Sequence, residues 1–367
     1  MRPRRLERRW KSLALRLAAG AIGPRGGSAP PSDVRRILVT KQHNQLGDFI
    51  LATPLIASLA RGYPGATIDY LANPLQHEAA RLVPEVDRVF LLEGRGIAHR
   101  GPRLAPLVRA LRARRYDLAI CVVTVSYSTT SALLLALSGA RFRLAGRIAT
   151  SPSGPSLFHR EVPVAEDAHE TDRALAHLAG LGIEATTRVP RLIVPDDEWR
   201  AARRALAASG AAQSDAVVGV HPGAGKLPNR WPAPLFGELV RRLLRDTRVR
   251  VAIFAGPRET ALVDAMGGEP DPRVLRMPQL SMRQLASHIR GLSLYVGNDT
   301  GTLHLAAALG VPTVGLFGPT DPAVWAPNTP RGVVLRATST RIDDLSIDAV
   351  EACVRERLDA VAKVPAS

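Results

Sequence analysis

Short apolar runs alternate with amphipathic helical patterns along most of the chain. In the first half the pattern predicts helices near residues 48–62, 74–82, 103–114 and 128–138. The predicted strands around them are 35–41 (RRILVTK), 67–71, 88–92, 117–123 and 140–144. Strands and helices that alternate at this spacing are typical of βαβ units built around a parallel sheet.

The middle of the chain interrupts this alternation. The pattern weakens between residues 146 and 165, where SPSGPS indicates a loop, and a helical stretch then ends at Gly182. The segment RLIVPDDEWRAARRALAAS predicts a short strand, a proline break and another helix. We therefore place a hinge between two domains around residues 184–214.

After the hinge the alternation begins again. Helices are predicted near 233–246, 258–266, 281–290 and 301–309, between the strands AVVGVHPG, RVRVAIFAG, RVLRM, LSLYVGND and VPTVGLFG. The pattern as a whole predicts an α/β protein with two doubly wound, Rossmann-like domains at 35–190 and 191–345, a segment at 1–34 and a C-terminal helix at 346–367. Ligands of such sheets bind beyond the carboxyl ends of the strands, so a cleft between facing sheets is the expected active site.

Composition agrees with a folded two-domain protein. The chain has 367 residues, of which 46% are hydrophobic and 22% charged. Its two cysteines, Cys121 and Cys353, lie far apart and outside any Cys/His cluster, so neither a disulfide framework nor a zinc site is indicated. A reducing compartment, the cytoplasm, is the simplest interpretation. No run of about 18 apolar residues occurs that could span a membrane.

The formal net charge of +16 is concentrated at the start of the chain. Residues 1–36 contain ten Lys/Arg against Glu7 and Asp33, and Arg16 interrupts the apolar stretch that a signal peptide needs. Two interpretations of residues 1–34 stay open: a segment that lies on the anionic inner face of the cytoplasmic membrane, and a disordered basic tail. A nucleic-acid-binding protein is a remote alternative, because the chain has no helix-turn-helix, zinc or RNP signature and only 4% aromatic residues.

Three glycine-containing loops follow predicted strands in the second half: HPGAG (221–225), FAGPRE (254–259) and GNDTGTLH (297–304). Glycine lets the backbone approach a ligand, and the helix that follows each loop offers free N–H groups to an anion. Taken singly, each glycine is more typical of turn geometry than of contact with a ligand. Together the loops indicate a phosphate-binding edge of the second sheet. Leu227 stands where a P-loop needs Ser or Thr, no G-x-G-x-x-G follows a strand, and no D-x-D metal motif is present, so no metal site is predicted.

The segment HNQLGDFILATP (43–54) follows the first predicted strand. Gly47 permits a tight turn, which places Asp48 at or near the start of a helix. Asp48 is then either an N-cap or an ionised carboxylate that serves as a general base. The residues alone do not choose between these two roles.

Several segments resemble the heptosyltransferase family, glycosyltransferase family 9. They are KQHNQLGDFILATPLIASLA, HPGAGKLPNRWPAPLFGELV, FAGPRE and VGNDTGTLHLAAALGVPTVGLFGPTDP, and the resemblance covers about residues 35–345. It implies a GT-B fold and an inverting, metal-independent transfer of heptose from ADP-heptose to the lipopolysaccharide core, with no cofactor. Because KQHNQ differs from the Ser-rich version of that segment, a different nucleotide sugar or another acceptor stays open as the alternative.

The resemblance also implies roles for individual residues. Asp48 matches the catalytic aspartate that takes the proton of the acceptor hydroxyl. The donor-binding motif is matched by Asp299, Thr300, Gly301, Thr302, Leu303 and His304, with a packed histidine on a buried helix as the alternative for His304. Glu259 matches a position that binds the nucleoside. Lys41, directly after the first strand, is either an acceptor-binding residue or a surface lysine.

The HPGAG loop matches the pyrophosphate-binding loop, which assigns Gly223, Ala224 and Gly225 to the donor site. One departure concerns charge. The family has a lysine two residues before Trp-Pro, and this chain has Asn229 there. Because a leaving diphosphate needs a positive partner, Lys226 and Arg230 are the candidates for that role.

Overall fold

The computed structural model describes residues 20–24, 29–41, 45–93, 97–152, 156–208, 216–268 and 270–362, without the side chains of 97–103, 207–208 and 362. Most of the predicted basic segment, residues 1–19 and 25–28, therefore lies outside the described part. The chain divides into two compact units, Met1–Arg188 and Val189–Ser367. The division falls within the predicted hinge and two residues before the predicted domain boundary.

The first unit is built on a six-stranded parallel sheet in the order β3-β2-β1-β4-β5-β6. From β1 the chain adds β2 and β3 on one side of the sheet, and β4, β5 and β6 then follow on the other side. The strand order therefore reverses between the two central strands, β1 and β4. The strands are β1 Arg36–Thr40, β2 Thr67–Ala72, β3 Val86–Leu91, β4 Leu118–Cys121, β5 Phe142–Arg147 and β6 Arg160–Pro163. The helices are α1 Leu46–Gly62, α2 His77–Ala80, α3 Ile97–Ala113, α4 Thr129–Leu137 and α5 Glu170–Leu175, the last continued by a 3-10 helix at Ala176–Leu181.

The second unit repeats the same plan. Its parallel sheet has the order β12-β11-β10-β7-β8-β9, which reverses between β7 and β10. The strands are β7 Ala216–His221, β8 Val249–Ile253, β9 Val274–Arg276, β10 Leu294–Asn298, β11 Thr313–Phe317 and β12 Gly332–Arg336. The helices are α6 Asp196–Ala208, α7 Ala233–Leu243, α8 Thr260–Ala265, α9 Met282–Arg290, α10 Gly301–Ala308, α11 Pro322–Trp325 and α12 Ile347–Ala362.

The predicted fold class is confirmed, and the departures lie at the edges of the sheets. β6 and β12 were not predicted, because REVP carries two charges and GVVLR is only partly buried along its length. The short strand predicted before the proline break at 195 is wrong: residues 191–194 belong to no sheet, although the N–H of Leu192 donates to the carbonyl of Ala308. Gly182 does end its helix, in the left-handed conformation at φ 69° that glycine adopts without strain.

Continuous burial of the central strands explains why they are so apolar. Every residue of β4, β8, β10 and β11 is buried, as expected for strands with helices on both faces of a parallel sheet. The C-terminal helix α12 adds Val350 and Val354 to the core of the second unit. Among the residues described, no helix combines the length and the apolar character needed to cross a bilayer. Buried polar side chains end two central strands of the second sheet, His221 on β7 and Asn298 on β10, and the candidate site lies there.

Candidate functional site

The loops that follow β7, β8, β10 and β11 meet at one edge of the second sheet. Because parallel strands end on the same side, residues distant in sequence come together there, next to the point where the strand order reverses. We call this edge the β7–β10 site: Glu259, His221, Thr302 and Thr300 form a connected series of hydrogen bonds there, and Asp299 lies beside them with His304 as its neighbour.

The loop after β7 is held in place by Asn298, whose side chain is fully buried at the end of β10. Its Nδ2 donates to the carbonyls of Pro222, at 3.0 Å, and Gly223, at 3.1 Å. Its Oδ1 accepts from the backbone N–H of Trp231 at 3.0 Å. One amide thus fixes both the start of the predicted Gly223-Ala224-Gly225 loop and the chain that leaves it.

Glu259 lies against this loop. A Cβ placed on Gly223 would come within 2.0 Å of Glu259 Oε1, so a larger residue at that position would displace the Glu259 carboxylate from where it lies. The other carboxylate oxygen accepts from His221 Nε2 at 2.9 Å and from the N–H of Gly256 at 2.6 Å. The hydrogen bond from His221 lowers the pKa of Glu259 to about 2, with help from that N–H and from the charge of Arg230, against the opposing effect of burial.

A chain of hydroxyl groups continues from the other side of the His221 ring. The hydroxyl of Tyr295 donates to Thr302 Oγ1 at 2.7 Å. Thr302 Oγ1 in turn lies 3.2 Å from His221 Nδ1 and 2.9 Å from Thr300 Oγ1. An ionised Glu259 requires a proton on His221 Nε2. If Nδ1 is unprotonated, Thr302 donates to it and Thr300 must donate to Thr302. If both ring nitrogens are protonated, Thr302 donates to Thr300, whose hydroxyl is then available to a ligand.

The amino end of α10 adds backbone donors to this site. Thr300 is the N-cap, and its side chain makes no cap hydrogen bond. Leu303, predicted to bind the donor, has a fully buried side chain, and its N–H donates to the carbonyl of Thr300. The part assigned to Leu303 is therefore corrected: it packs under the loop, in contact with the face of Gly315, and leaves the partly exposed end of the helix to Gly301 and Thr302.

Asp299 and His304 lie close together beside that helix end. His304 is 4% exposed, and its Nε2 is 3.7 Å from Asp299 Oδ1. Its Nδ1 is buried and has no hydrogen-bond partner within the described residues. The histidine is thus buried on its helix, as the structural alternative predicted, with one ring nitrogen that has no partner among the described residues.

Three residues of the segment before Trp231, namely Lys226, Asn229 and Arg230, differ in the polar groups that they offer to a ligand. Asn229 is buried, and its Nδ2 donates to Thr320 Oγ1 at 2.8 Å and to Asp299 Oδ2 at 3.3 Å. Arg230 donates from Nε and Nη2 to the carbonyl of Ala224, at 2.9 and 2.8 Å. Lys226 is exposed. Of the two candidate cations, Arg230 is the one held in a fixed position, with Nη1 not engaged in the described structure.

In the first unit, Asp48 lies in the first turn of α1. The N-cap of this helix is Gln45, so the interpretation of Asp48 as the N-cap is wrong. The carboxylate still lies at the positive end of the helix dipole. It is only 3% exposed, so an acceptor hydroxyl reaches it only if the atoms that cover it are displaced.

Lys41 is buried, which contradicts the surface alternative. It is 2% exposed, and its Nζ lies 2.5 Å from Glu170 Oε1 and in contact with Thr124 Oγ1. Sequence reasoning missed Glu170 and Thr124, as it missed His221 and Asn298 in the second unit. The one available signal was position: His221 and Asn298 lie near the carboxyl ends of the predicted strands AVVGVHPG and LSLYVGND, and the structure ends β7 and β10 at these two residues.

Within the described ranges no group of three or more His, Cys, Asp or Glu residues could hold a metal ion. The β7–β10 site offers instead the ingredients of an anion site: the amino end of α10, a fixed guanidinium and hydroxyl groups. Beside them, an ionised carboxylate can accept hydrogen bonds from a polyhydroxylated ligand.

Comparison with known proteins agrees with this chemistry. Residues 104–354 match glycosyltransferase family 9 (heptosyltransferase). The chain is 30% identical over 299 residues to lipopolysaccharide heptosyltransferase 1 of Pseudomonas aeruginosa, covering 78% of this chain and 79% of the relative. It is 26% identical over 290 residues to lipopolysaccharide heptosyltransferase 3 of Escherichia coli, covering 77% and 83%. The solved structure of E. coli heptosyltransferase WaaC with ADP has a TM-score of 0.70 at 20% identity, covering 88% of this chain and 99% of that one.

The fold and these matches define the class of protein as a glycosyltransferase. More narrowly, the chain belongs to glycosyltransferase family 9, the heptosyltransferases.

The hydrogen bonds of Glu259 predict an acid-dependent contribution to stability. Its pKa is lowered in the folded state from its ordinary value near 4.5 to about 2, so the contribution is complete above pH 4.5 and is lost as the pH falls toward 2. We expect Glu259→Gln to lower the free energy of unfolding by a few kcal/mol at pH 6, and by progressively less in more acidic solution. Urea unfolding of both proteins from pH 6 to 2.5 measures this difference. Parallel curves over that range would contradict the assigned hydrogen bonds.

Proposed function

We propose that the protein transfers heptose from ADP-heptose to a lipopolysaccharide core acceptor, with inversion and without a metal ion or other cofactor. The observation that carries the proposal is the β7–β10 site, in which anion-binding groups lie next to the ionised carboxylate of Glu259. The named relatives are lipopolysaccharide heptosyltransferases, and the E. coli structure contains ADP. The basic residues of segment 1–34 suit contact with an anionic membrane surface.

The donor would be bound by the second unit. The amino end of α10 and Arg230 bind the diphosphate, and Glu259 accepts hydrogen bonds from the ribose hydroxyls. Asp299 accepts from hydroxyls of the sugar, and His304 Nδ1 lies ready for a further hydrogen bond. Since negative charge grows on the diphosphate as the anomeric carbon–oxygen bond breaks, donors fixed in advance stabilise the transition state more than the ground state.

Asp48 of the first unit would act as the base. As the acceptor hydroxyl oxygen bonds to the anomeric carbon, its proton passes to the Asp48 carboxylate and ADP leaves with the electrons of the broken bond. Attack on the face opposite the leaving group inverts the anomeric centre. The burial of Asp48 suits this step, because a carboxylate shielded from water favours transfer to the acceptor over hydrolysis of the donor.

A nucleotide-sugar panel tests the proposal directly. We expect transfer to deacylated lipopolysaccharide core from ADP-heptose but not from UDP- or GDP-sugars, with the same rate in EDTA as after addition of Mg²⁺ or Mn²⁺. Mass spectrometry of the product gives the transferred sugar, and NMR of its anomeric proton gives the stereochemistry. Preference for another nucleotide sugar, transfer only to a different glycan, or a rate abolished by EDTA and restored by metal would each refute the corresponding part.

Asp48→Asn removes the base while keeping the shape of the side chain. We expect kcat to fall by roughly a hundredfold or more, with little change in the affinity for ADP-heptose, because only proton removal depends on the charge. Steady-state kinetics and calorimetric titration of the donor measure the two effects, and the melting temperature controls for folding. An active variant with lowered stability would instead assign a structural role to Asp48.

Arg230→Gln and Lys226→Gln form a matched pair, since each removes one positive charge near the same loop. We expect Arg230→Gln to lower kcat/KM by roughly a hundredfold, and Lys226→Gln by less than about threefold, because an exposed lysine loses more entropy when it binds a phosphate. Steady-state kinetics with ADP-heptose as the varied substrate measures both values. The reverse order would assign the diphosphate partner to Lys226.

A further inference from the structure

The hydroxyl group of Thr302 has three hydrogen-bond neighbours and only one hydrogen to donate. Its Oγ1 lies 2.7 Å from the hydroxyl of Tyr295, 2.9 Å from Thr300 Oγ1 and 3.2 Å from His221 Nδ1. Tyr295 is fully buried, and Thr302 is its side-chain partner among the described residues, so its hydrogen goes to Thr302. The single hydrogen of Thr302 is therefore donated either to His221 or to Thr300.

Glu259 fixes the proton at the other end of the His221 ring. The pKa of this carboxyl is lowered to about 2, so the group is ionised at physiological pH and only accepts hydrogen bonds. The 2.9 Å contact between Glu259 Oε2 and His221 Nε2 therefore requires a hydrogen on the nitrogen. The remaining ring nitrogen, Nδ1, accepts from Thr302 when the ring is neutral and donates to Thr302 when the ring is an imidazolium.

These two charge states of His221 orient the Thr300 hydroxyl in opposite ways. With a neutral ring, Thr302 donates to Nδ1, and the 2.9 Å contact between the two hydroxyls is a hydrogen bond only if Thr300 donates to Thr302. With a protonated ring, Nδ1 donates to Thr302 and Thr302 donates to Thr300, which keeps its own hydrogen for a ligand. Every hydrogen bond of the series is retained in both states.

An anion beside Thr300 distinguishes the two states. Thr300 is the N-cap of α10, its side chain makes no cap hydrogen bond, and the residue is partly exposed. The oxygens of an ionised phosphate only accept hydrogen bonds, so they are repelled by the lone pairs of Thr300 in the first state and are bound by its hydrogen in the second. A ligand that binds one of two states more tightly shifts the equilibrium toward that state. Histidine is the side chain that ordinarily gains or loses a proton in the physiological range of pH.

Charge favours the same proton. The pair formed by Glu259 and a neutral His221 carries one negative charge beside the proposed diphosphate site, and an imidazolium cancels that charge. The lysine that the family resemblance implies two residues before Trp231 is replaced by Asn229, so it adds no cation here. The charge of Arg230 reaches Glu259 from the loop after β7.

The other titratable groups near the ring belong to two elements. On β10, burial raises the pKa of Tyr295, so its hydroxyl stays neutral. At the amino end of α10, Asp299 Oδ1 lies 3.7 Å from His304 Nε2. Of these groups, His304 is the one besides His221 that could gain a proton near neutrality, and it needs a control.

We propose that His221 is a positioning residue of the donor site: it takes up a proton when a nucleoside diphosphate group binds, and so makes the Thr300 hydroxyl a donor to that group. The proton comes from solvent and binds Nδ1. The hydrogens of Thr302 and Thr300 change direction, and no other bond is formed or broken. The inference rests on the proposed function, because it takes the diphosphate of a nucleotide sugar as the ligand of the β7–β10 site.

Proton uptake can be measured on the wild-type protein with ADP-heptose. The diphosphate of this ligand is esterified at both ends and gains no proton near neutrality, so the uptake belongs to the protein. We expect the affinity to rise roughly fivefold or more as the pH falls from about 8.5 to 6, with uptake of at least about half a proton per ligand near the middle of that range. Calorimetric titration in buffers of different ionisation enthalpy measures both quantities. A constant affinity without uptake would overturn the proposal.

Thr302→Val and Thr302→Ser form a matched pair, since the first removes the hydroxyl and the second keeps it. We expect uptake and pH dependence to be lost in Thr302→Val and retained in Thr302→Ser, because this hydroxyl connects His221 to Thr300. A merely structural role would lower the affinity by the same factor at every pH. Uptake that persists in Thr302→Val contradicts the proposal. If the melting temperature shows that Thr302→Val does not fold, His221→Gln makes the same test, because its amide can donate to Glu259 and does not titrate.

His304→Gln is the control for the source of the proton. It removes the neighbouring ring and leaves the series from Glu259 to Thr300 in place, so the uptake should persist. Loss of the uptake in His304→Gln, together with its retention in Thr302→Val, would assign the proton to His304 and refute the role of His221.

The protonation of His221 is also visible by ¹⁵N NMR of the imidazole rings, with its signals identified by their absence in His221→Gln. We expect a neutral ring protonated on Nε2 in the free protein at about pH 8.5, and a ring protonated on both nitrogens in the complex at about pH 7. A free protein with the hydrogen on Nδ1, or a neutral ring in the complex, would overturn the proposal. Failure of ADP-heptose to bind at any pH refutes the proposed donor instead. The nucleotide sugar that does bind then replaces it in the titration, and the tautomer of the free protein tests the hydrogen-bond series without a ligand.

Discussion

The buried amide of Asn298 is the constraint on which the β7–β10 site depends. It forms hydrogen bonds with two carbonyls of the loop after β7 and with the backbone N–H of Trp231, and these hydrogen bonds are buried. Losing such a group leaves three buried polar atoms unpaired, at a cost of about 1–3 kcal/mol each. Because the loop is fixed in this way, the backbone of Gly223 can lie directly against Glu259. The ionised Glu259 in turn keeps a proton on His221 Nε2, which donates to it.

The sheets of the two units have the same strand order, but different side chains lie at the point where that order reverses. In the second unit the residue at the end of the first strand is His221, which donates to an ionised acid that remains partly exposed. In the first unit the comparable residue is Lys41, and its acid, Glu170, is completely buried. At the reversal point of the second sheet the acid is thus partly exposed beside hydroxyl groups, whereas in the first sheet it is buried against a lysine. The same topology carries different chemistry because that chemistry lies in residues outside the sheet.

The sequence allowed the sheets, the loops and most helix positions to be predicted, because apolar runs, alternation and glycine are local signals. It could not show that Lys41 is buried, since Glu170 lies 129 residues further along the chain and only the folded sheet brings them together. The role of Asn298 was hidden for the same reason: its partners at 222 and 223 precede it by more than 70 residues. The edge strands β6 and β12 were missed because they are short and mostly only partly buried: REVP carries two charges, and GVVLR has only three apolar residues between Gly332 and Arg336.

The neutral residue at Asn229 has a physical consequence for the neighbouring carboxylate. A lysine at this position, as the family resemblance implies, could form an ion pair with Asp299, whereas the amide of Asn229 gives it only a hydrogen bond of 3.3 Å and gives Thr320 a shorter one. The carboxylate of Asp299 therefore keeps more of its hydrogen-bonding capacity for a ligand. A positive charge lies one residue along, at Arg230, whose guanidinium is anchored on the Ala224 carbonyl. A planar guanidinium held by two of its donors can present the rest to a diphosphate in a fixed direction, which a mobile ammonium cannot do.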